Sequence, residues 1–144
     1  MIRCENGPLA DALRGLSLPA GTLVFVSNPQ ISDDWEAVAG ELSEAFDLSQ
    51  AAARDGAPVV YIVANDDLLG REGTGGAMVA CGLLSAARTL AIETARSGIA
   101  ANTIAVDDTS PEVVGLWVEA LCRPNAPTGE ILRLGSGHLG KALP

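Results

Sequence analysis

The stretch GTGGAMVACGLLSAARTLAIETARSGIAANTIA, Gly73 to Ala105, decides how this chain folds. Its spacing predicts a helix over Ala77–Ser97, a glycine stop at Gly98, and a short strand over Ile99–Ala105. Arg96, near the helix C-terminus, suits the negative pole of the helix dipole. The helix carries few charges (Arg88, Glu93, Arg96) and is otherwise apolar or small nearly all round. A helix with so little polar face is buried on more than one side. Small residues at Ala77, Ala80, Gly82, Ala86 and Ala87 let another backbone come close.

Outward from this stretch, two β-branched runs read as buried parallel strands: Thr22–Ser27 (TLVFVS) and Ala57–Ala64 (APVVYIVA). Between them Ser32 or Asp33 caps a helical region that includes residues 42–53. Met1–Cys4 predicts a very short strand beside Thr22–Ser27. A helix follows over Leu9–Leu16, with Pro8 at its first position and Gly15 at its end. Asp66-Asp67 followed by Leu68-Leu69-Gly70 reads as a surface loop, and Gly73, Gly75 and Gly76 as a flexible approach to the long helix. Beyond Asp107-Asp108, Thr109 or Ser110 with Pro111 opens another helix that ends at Arg123-Pro124. Thr128–Leu134 predicts the last strand. The expected fold is one α/β domain over residues 1–144. It is a truncated Rossmann-like three-layer αβα sandwich with a mostly parallel sheet of about five strands.

Composition narrows the function classes. The chain has 144 residues, 48% hydrophobic but only 3% aromatic, so Ala, Val, Leu and Ile must build its core. A formal charge of -9 and a pI near 4.4 argue against nucleic acid or an anionic membrane as partner. No signal peptide or uncharged membrane-length run is apparent, which gives a cytoplasmic expectation. Cys4, Cys81 and Cys122 stand far apart in no metal-ligand spacing, and they read as buried or semi-buried thiols. Gly135-Ser-Gly137-His-Leu-Gly140 matches G-x-G-x-x-G, but no helix can follow it, so it reads as a tail. His138 lacks any ligand or nucleophile at useful spacing.

The segment LLSAARTLAIETARSGIAANTIAVD resembles the short-chain dehydrogenases/reductases in the part that follows their Tyr-x-x-x-Lys motif. Ile31–Val38 and Leu42–Ala51 resemble that family's "t-x-e-x-W-x-x-V" and "N-L-x-G-x-F-x-x-x-Q-A" blocks. Thr128–Leu134 resembles its last strand. The resemblance covers residues 20–137 and implies a Rossmann-like fold. Its motifs depart at each reacting position. Without gaps the family's tyrosine falls on Gly76 and its lysine on Ala80; with one deletion its asparagine falls on Glu41. Val63, Ala64, Asn65 and Asp66 stand where it has Ser-Ser, Ser27-Asn28-Pro29-Gln30 where it has N-N-A-G, and Asp107-Asp108 where it has Pro-Gly. The only tyrosine is Tyr61 and the only lysine Lys141, so no Tyr-x-x-x-Lys exists here. The family places about eighty or more residues ahead of its N-N-A-G strand where this chain has about 26, so the resemblance implies that the first βαβ unit, with its nucleotide site, is missing.

The resemblance therefore implies a subunit with no catalytic residue, no bound cofactor and no metal. Its expected partner is a full-length reductase of this family, or a second copy, joined through helices 42–53 and 77–97 and strand 130–134. A hydroxyacyl or ketoacyl thioester is the implied substrate of such a partner. An alternative is a repurposed acidic site, enzymatic or ligand-binding, from Glu41, Asp66, Asp67, Asp107 and Asp108 converging at the C-terminal edge of the sheet.

Overall fold

The computed structural model describes residues 1–135. Five strands, β1 (Ile2–Arg3), β2 (Leu23–Val26), β3 (Val59–Ala64), β4 (Ala101–Val106) and β5 (Ile131–Leu134), form one sheet. They lie in the order β1-β2-β3-β4-β5, every pair parallel. The central strands β2, β3 and β4 are buried on both faces, which is why β2 (LVFV) and β3 (VVYIVA) read as continuous apolar runs rather than alternations. Leu23, Phe25, Val59, Tyr61, Val63, Ala101 and Ala105 point to one face, and Val24, Val60, Ile62 and Ile104 to the other.

Helices cover both faces. The first face carries α2 (Trp35–Arg54) and α4 (Thr74–Glu93), and the second carries α1 (Pro8–Arg14) and α5 (Pro111–Leu121). The short α3 (Asn65–Leu68) continues directly from β3. The result is the expected three-layer α/β sandwich with a five-stranded parallel sheet. By length and composition alone α4 is apolar enough to cross a membrane. In the fold it is a core helix, with Val79, Ala80, Leu83 and Ala87 buried beneath α2 and on the sheet.

Helix ends correct several expectations. α4 starts earlier than Ala77, so Gly75 and Gly76 belong to its first turn. It stops at Glu93, before Ser97, because the Thr94 hydroxyl bonds the Leu90 carbonyl at 2.7 Å and the next residues turn. Gly98, at φ 68°, then makes the left-handed bend into β4, which begins at Ala101. Asp34, rather than Ser32 or Asp33, caps α2, accepting from the Ala37 N–H at 3.2 Å. Ser110 caps α5 with Pro111 behind it.

The crossovers differ in hand. Successive strands advance across the sheet in one direction, yet α1 and α5 lie on the opposite face from α2 and α4. β1–α1–β2 and β4–α5–β5 therefore have the opposite hand to β2–α2–β3 and β3–α4–β4. One pair departs from the strong right-handed preference of parallel crossovers.

The edge strand β1 is only two residues long and is tied in by side chains. The N-terminal amine donates to the Thr22 carbonyl. Arg3 donates to both carboxylate oxygens of Glu41 on α2, at 2.9 and 2.5 Å, to Glu44 at 2.9 Å and to the Val26 carbonyl at 2.9 Å. Its guanidinium also lies 4.5 Å from the Phe25 ring centroid. Burial opposes the Arg3 charge, but the hydrogen bonds to Glu44 and Glu41 outweigh it and its pKa is raised.

Glu41 is 6% exposed, so removal of Arg3 strands a buried carboxylate. Arg3→Ala is expected to cost about 3 kcal/mol in urea unfolding. Much of that cost should return in the Arg3→Ala/Glu41→Met double variant, and an additive pair would show that no such coupling exists.

Candidate functional site

In open α/β sheets, ligands sit at the carboxyl ends of the strands, and the acidic candidates all lie near that edge. The structure separates them. Glu41 is taken by Arg3 and by the Asn28 N–H, which donates to it at 2.8 Å. Asp66 pairs with Arg71 at 3.1 Å. Asp107 and Asp108 lie against Gly135, beyond β4. Five carboxylates converging on one point is thus not what forms, because two already have cationic partners and two serve another turn. Among the described residues no group of three or more His, Cys, Asp or Glu could hold a metal ion.

Asp67 is the exception. The expected surface loop is instead the helix α3, and Asp67 and Leu68 are buried in it at 8% exposure each. The Asp67 carboxylate lies over Gly76, in the first turn of α4, and a Cβ on Gly76 would fall inside it. Gly75, one residue earlier, presses against the backbone carbonyl of Ser32 in the same way. Its N–H donates to Asp33 at 2.6 Å, so Asp33, from the loop before α2, binds the N-terminus of α4. Burial pushes the Asp67 carboxyl above its ordinary pKa, with Glu72 and Asp66 adding repulsion.

The resemblance places the family's tyrosine and lysine on Gly76 and Ala80. Gly76 has no room for any side chain. Ala80 is buried in the core. Tyr61 lies in mid-strand, 1% exposed, with its hydroxyl 2.6 Å from Ser49 Oγ. Burial raises its pKa despite that bond, opposite to the lowering a proton-transferring tyrosine needs. The loop between β1 and α1 is short, and Pro8 removes an N–H from the first turn of α1. Cys122 is buried, and burial with Glu119 nearby pushes its thiol up to about 11. Cys4 is half-buried. Cys81 is exposed, against expectation, because it lies on the outer side of α4. His138, Lys141 and the glycines beyond Gly135 lie outside the described residues.

Sequence reasoning missed the Arg3–Glu41 pair, the Ser49–Tyr61 bond and the reach of Asp33 to α4, since each joins distant residues. One local signal existed. Adjacent glycines at the start of a helix indicate a close backbone approach as readily as flexibility.

No family model and no curated protein matches the chain. Its structure is similar to 4-hydroxyisoleucine dehydrogenase complexed with NADH and succinate, with a TM-score of 0.64, 17% identity, and coverage of 79% of this chain and 66% of that one. It is similar to the enoyl-[acyl-carrier-protein] reductase (NADH) from Aquifex aeolicus VF5, at 0.61 and 17%, covering 78% and 59%. It is also similar to a protein described as a betaketoacyl-ACP reductase, at 0.65 and 22%, covering 90% and 72%. The chain thus spans under two thirds of the first two. The chain shares the Rossmann-like α/β fold of these dehydrogenases and reductases.

Two outcomes test this geometry. Gly76→Ala and Gly75→Ala are each expected to destabilise by about 1–3 kcal/mol, from overpacking. The Gly76→Ala cost should shrink in an Asp67→Ala background, because a side chain can be removed, whereas that of Gly75→Ala should not, because its neighbour is a backbone carbonyl. Separately, a carboxyl whose pKa is raised by folding costs stability when ionised. Asp67→Asn should therefore stabilise the chain at pH 7, by an amount that fades as pH falls through the raised folded-state pKa and is gone below the ordinary aspartate value of about 4. Equal stabilities of the two proteins from pH 7 down to about 4 would refute this account of Asp67.

Proposed function

We propose that this chain is a non-catalytic short-chain dehydrogenase/reductase-like subunit that assembles with a full-length reductase of that fold, and stabilises it or completes its substrate pocket. The observation that carries the reading is the face formed by α2 and α4. An open groove of about 730 Å³ runs between them, lined by Leu42, Ala45, Phe46, Gly82, Ala86 and Leu90. Phe46 is 60% exposed, and Ile92, near the end of α4 and outside the groove lining, is 78% exposed. Contiguous apolar surface of this kind marks an interaction site.

The crossover hand supports loss of the nucleotide-binding part. In a doubly wound sheet ordered 3-2-1-4-5-6, strand 1 lies beside strand 4. The helix after strand 1 lies on the opposite face from the helix after strand 4, because those two crossovers run in opposite directions. β1 and β2 stand as strands 1 and 4, and α1 is on the face of that first helix. Excision of strands 2 and 3 with their helices sends the chain from α1 straight to strand 4, and so reverses the hand of that one crossover. Without a Tyr-x-x-x-Lys pair the chain has neither the acid nor its activator. A β-hydroxyacyl or β-ketoacyl thioester is the substrate class we assign to the partner. Similarity in fold to two acyl-carrier-protein reductases supports that assignment by analogy. A second reading, ligand binding at the acidic edge, is favoured by the buried Asp67 alone.

Native mass spectrometry of the chain co-expressed with a full-length short-chain reductase from the same genome tests the assembly. A defined hetero-oligomer is expected. Phe46→Asp with Ala86→Arg should weaken it at least tenfold while leaving the far-ultraviolet circular dichroism of the isolated chain unchanged. NAD- or NADP-dependent alcohol oxidation by the purified chain alone would end the proposal.

A further inference from the structure

We propose that the small pocket between α3 and the first turn of α4 binds a small organic cation, an amine with a short apolar arm. The pocket, about 240 Å³, is lined by Asp67, Glu72, Pro29, Ile31 and Ala64, with Gly73 and Gly76 along one side. That is below the roughly 300 Å³ at which drug-sized sites begin, so it suits a molecule of a few heavy atoms. Asp67 is 92% buried, by subtraction from its 8% exposure, and lines this space. Among the described residues no hydrogen-bond donor and no base meets its carboxylate. Its oxygens are not among the fully sealed, unbonded atoms of the described residues, so they reach the open space of the pocket, where a poorly hydrated carboxylate favours a cationic partner.

Charge decides which partner. The N-terminus of α4 offers about half an elementary positive charge. Asp33 already binds it through the Gly75 N–H, and Asp67 and Glu72 line the adjoining pocket, so negative charge is in surplus. An anion is therefore disfavoured, although helix N-termini are ordinarily anion sites. Arg71, the nearest base in sequence, is engaged by Asp66. No group of three or more His, Cys, Asp or Glu is present among the described residues, so a divalent cation here would have to keep most of its ligands as water. An ammonium needs fewer ligands, with its three donors shared between Asp67 and Glu72. The Pro29, Ile31 and Ala64 side chains supply the apolar wall for a short arm.

The inference does not depend on the assembly proposed above, which uses α2 and α4 on the groove side. Two-dimensional 15N–1H NMR at fixed ionic strength tests it, with propylammonium chloride as probe and 1-propanol and sodium propionate as controls. Propylammonium should give saturable shifts at Ala64, Gly73 and Gly76, and neither control should. Asp67→Asn should weaken the apparent affinity at least tenfold, and Glu72→Gln, at a more exposed site, several-fold with the fold intact. Shifts that never saturate, that spread over the acidic surface, that persist in both variants, or that propionate reproduces would overturn the proposal. So would tighter, competing binding of Mg2+ or Ca2+ at the same amides.

Discussion

The placement of α4 rests on a steric constraint at its first turn, and the rest of the structure follows from it. Gly75 and Gly76 bring the backbone against the Ser32 carbonyl and the Asp67 carboxylate, closer than any residue with a Cβ allows. That approach presses the helix onto β3 and β4 and leaves Val79, Ala80, Leu83 and Ala87 to fill the core. Further along, Gly82 lets α2 come near enough that a Cβ there would stand 2.7 Å from a methyl of Leu42. Glycine usually weakens a helix by about 1 kcal/mol. Here the contacts that its absence of a side chain permits offset that loss.

Electrostatics then divides the molecule. With eighteen acidic residues against nine basic ones, most carboxylates must either face water or compete for few cations. Glu41 obtains Arg3 and keeps it in a half-buried, bidentate geometry, the kind that holds a charge pair together. Asp66 obtains Arg71. Asp67 obtains neither. The fold gives these three acids different surroundings: Asp66 is tied to Arg71, Glu41 anchors β1 through Arg3, and Asp67 faces a small pocket with no bonded partner among the described residues.

Much of the architecture was legible in the sequence because it depends on local periodicity. The runs TLVFVS and APVVYIVA read as strands, Gly98 as a left-handed bend and Ser110-Pro111 as a helix start, and the short strand Met1–Cys4 was expected beside Thr22–Ser27. What stayed hidden needed contacts distant in sequence. Nothing local tells that Asp33 serves α4 rather than α2, or that Asp67 is folded under a helix instead of exposed in a loop. The lack of a Tyr-x-x-x-Lys spacing is of a different kind, a matter of counting alone: the one tyrosine is Tyr61 and the one lysine Lys141.

The order of the strands across the sheet is also their order along the chain. Each strand can therefore add to a surface already made, without waiting for a segment still to come. Growth of this kind suits synthesis on the ribosome, where the N-terminal part is available first. Pairings between near neighbours in sequence also keep loop-closure costs low and speed folding. Among the described residues no strand pairs with the outer side of β5, so that margin carries a row of backbone donors and acceptors of the kind sheet edges must protect.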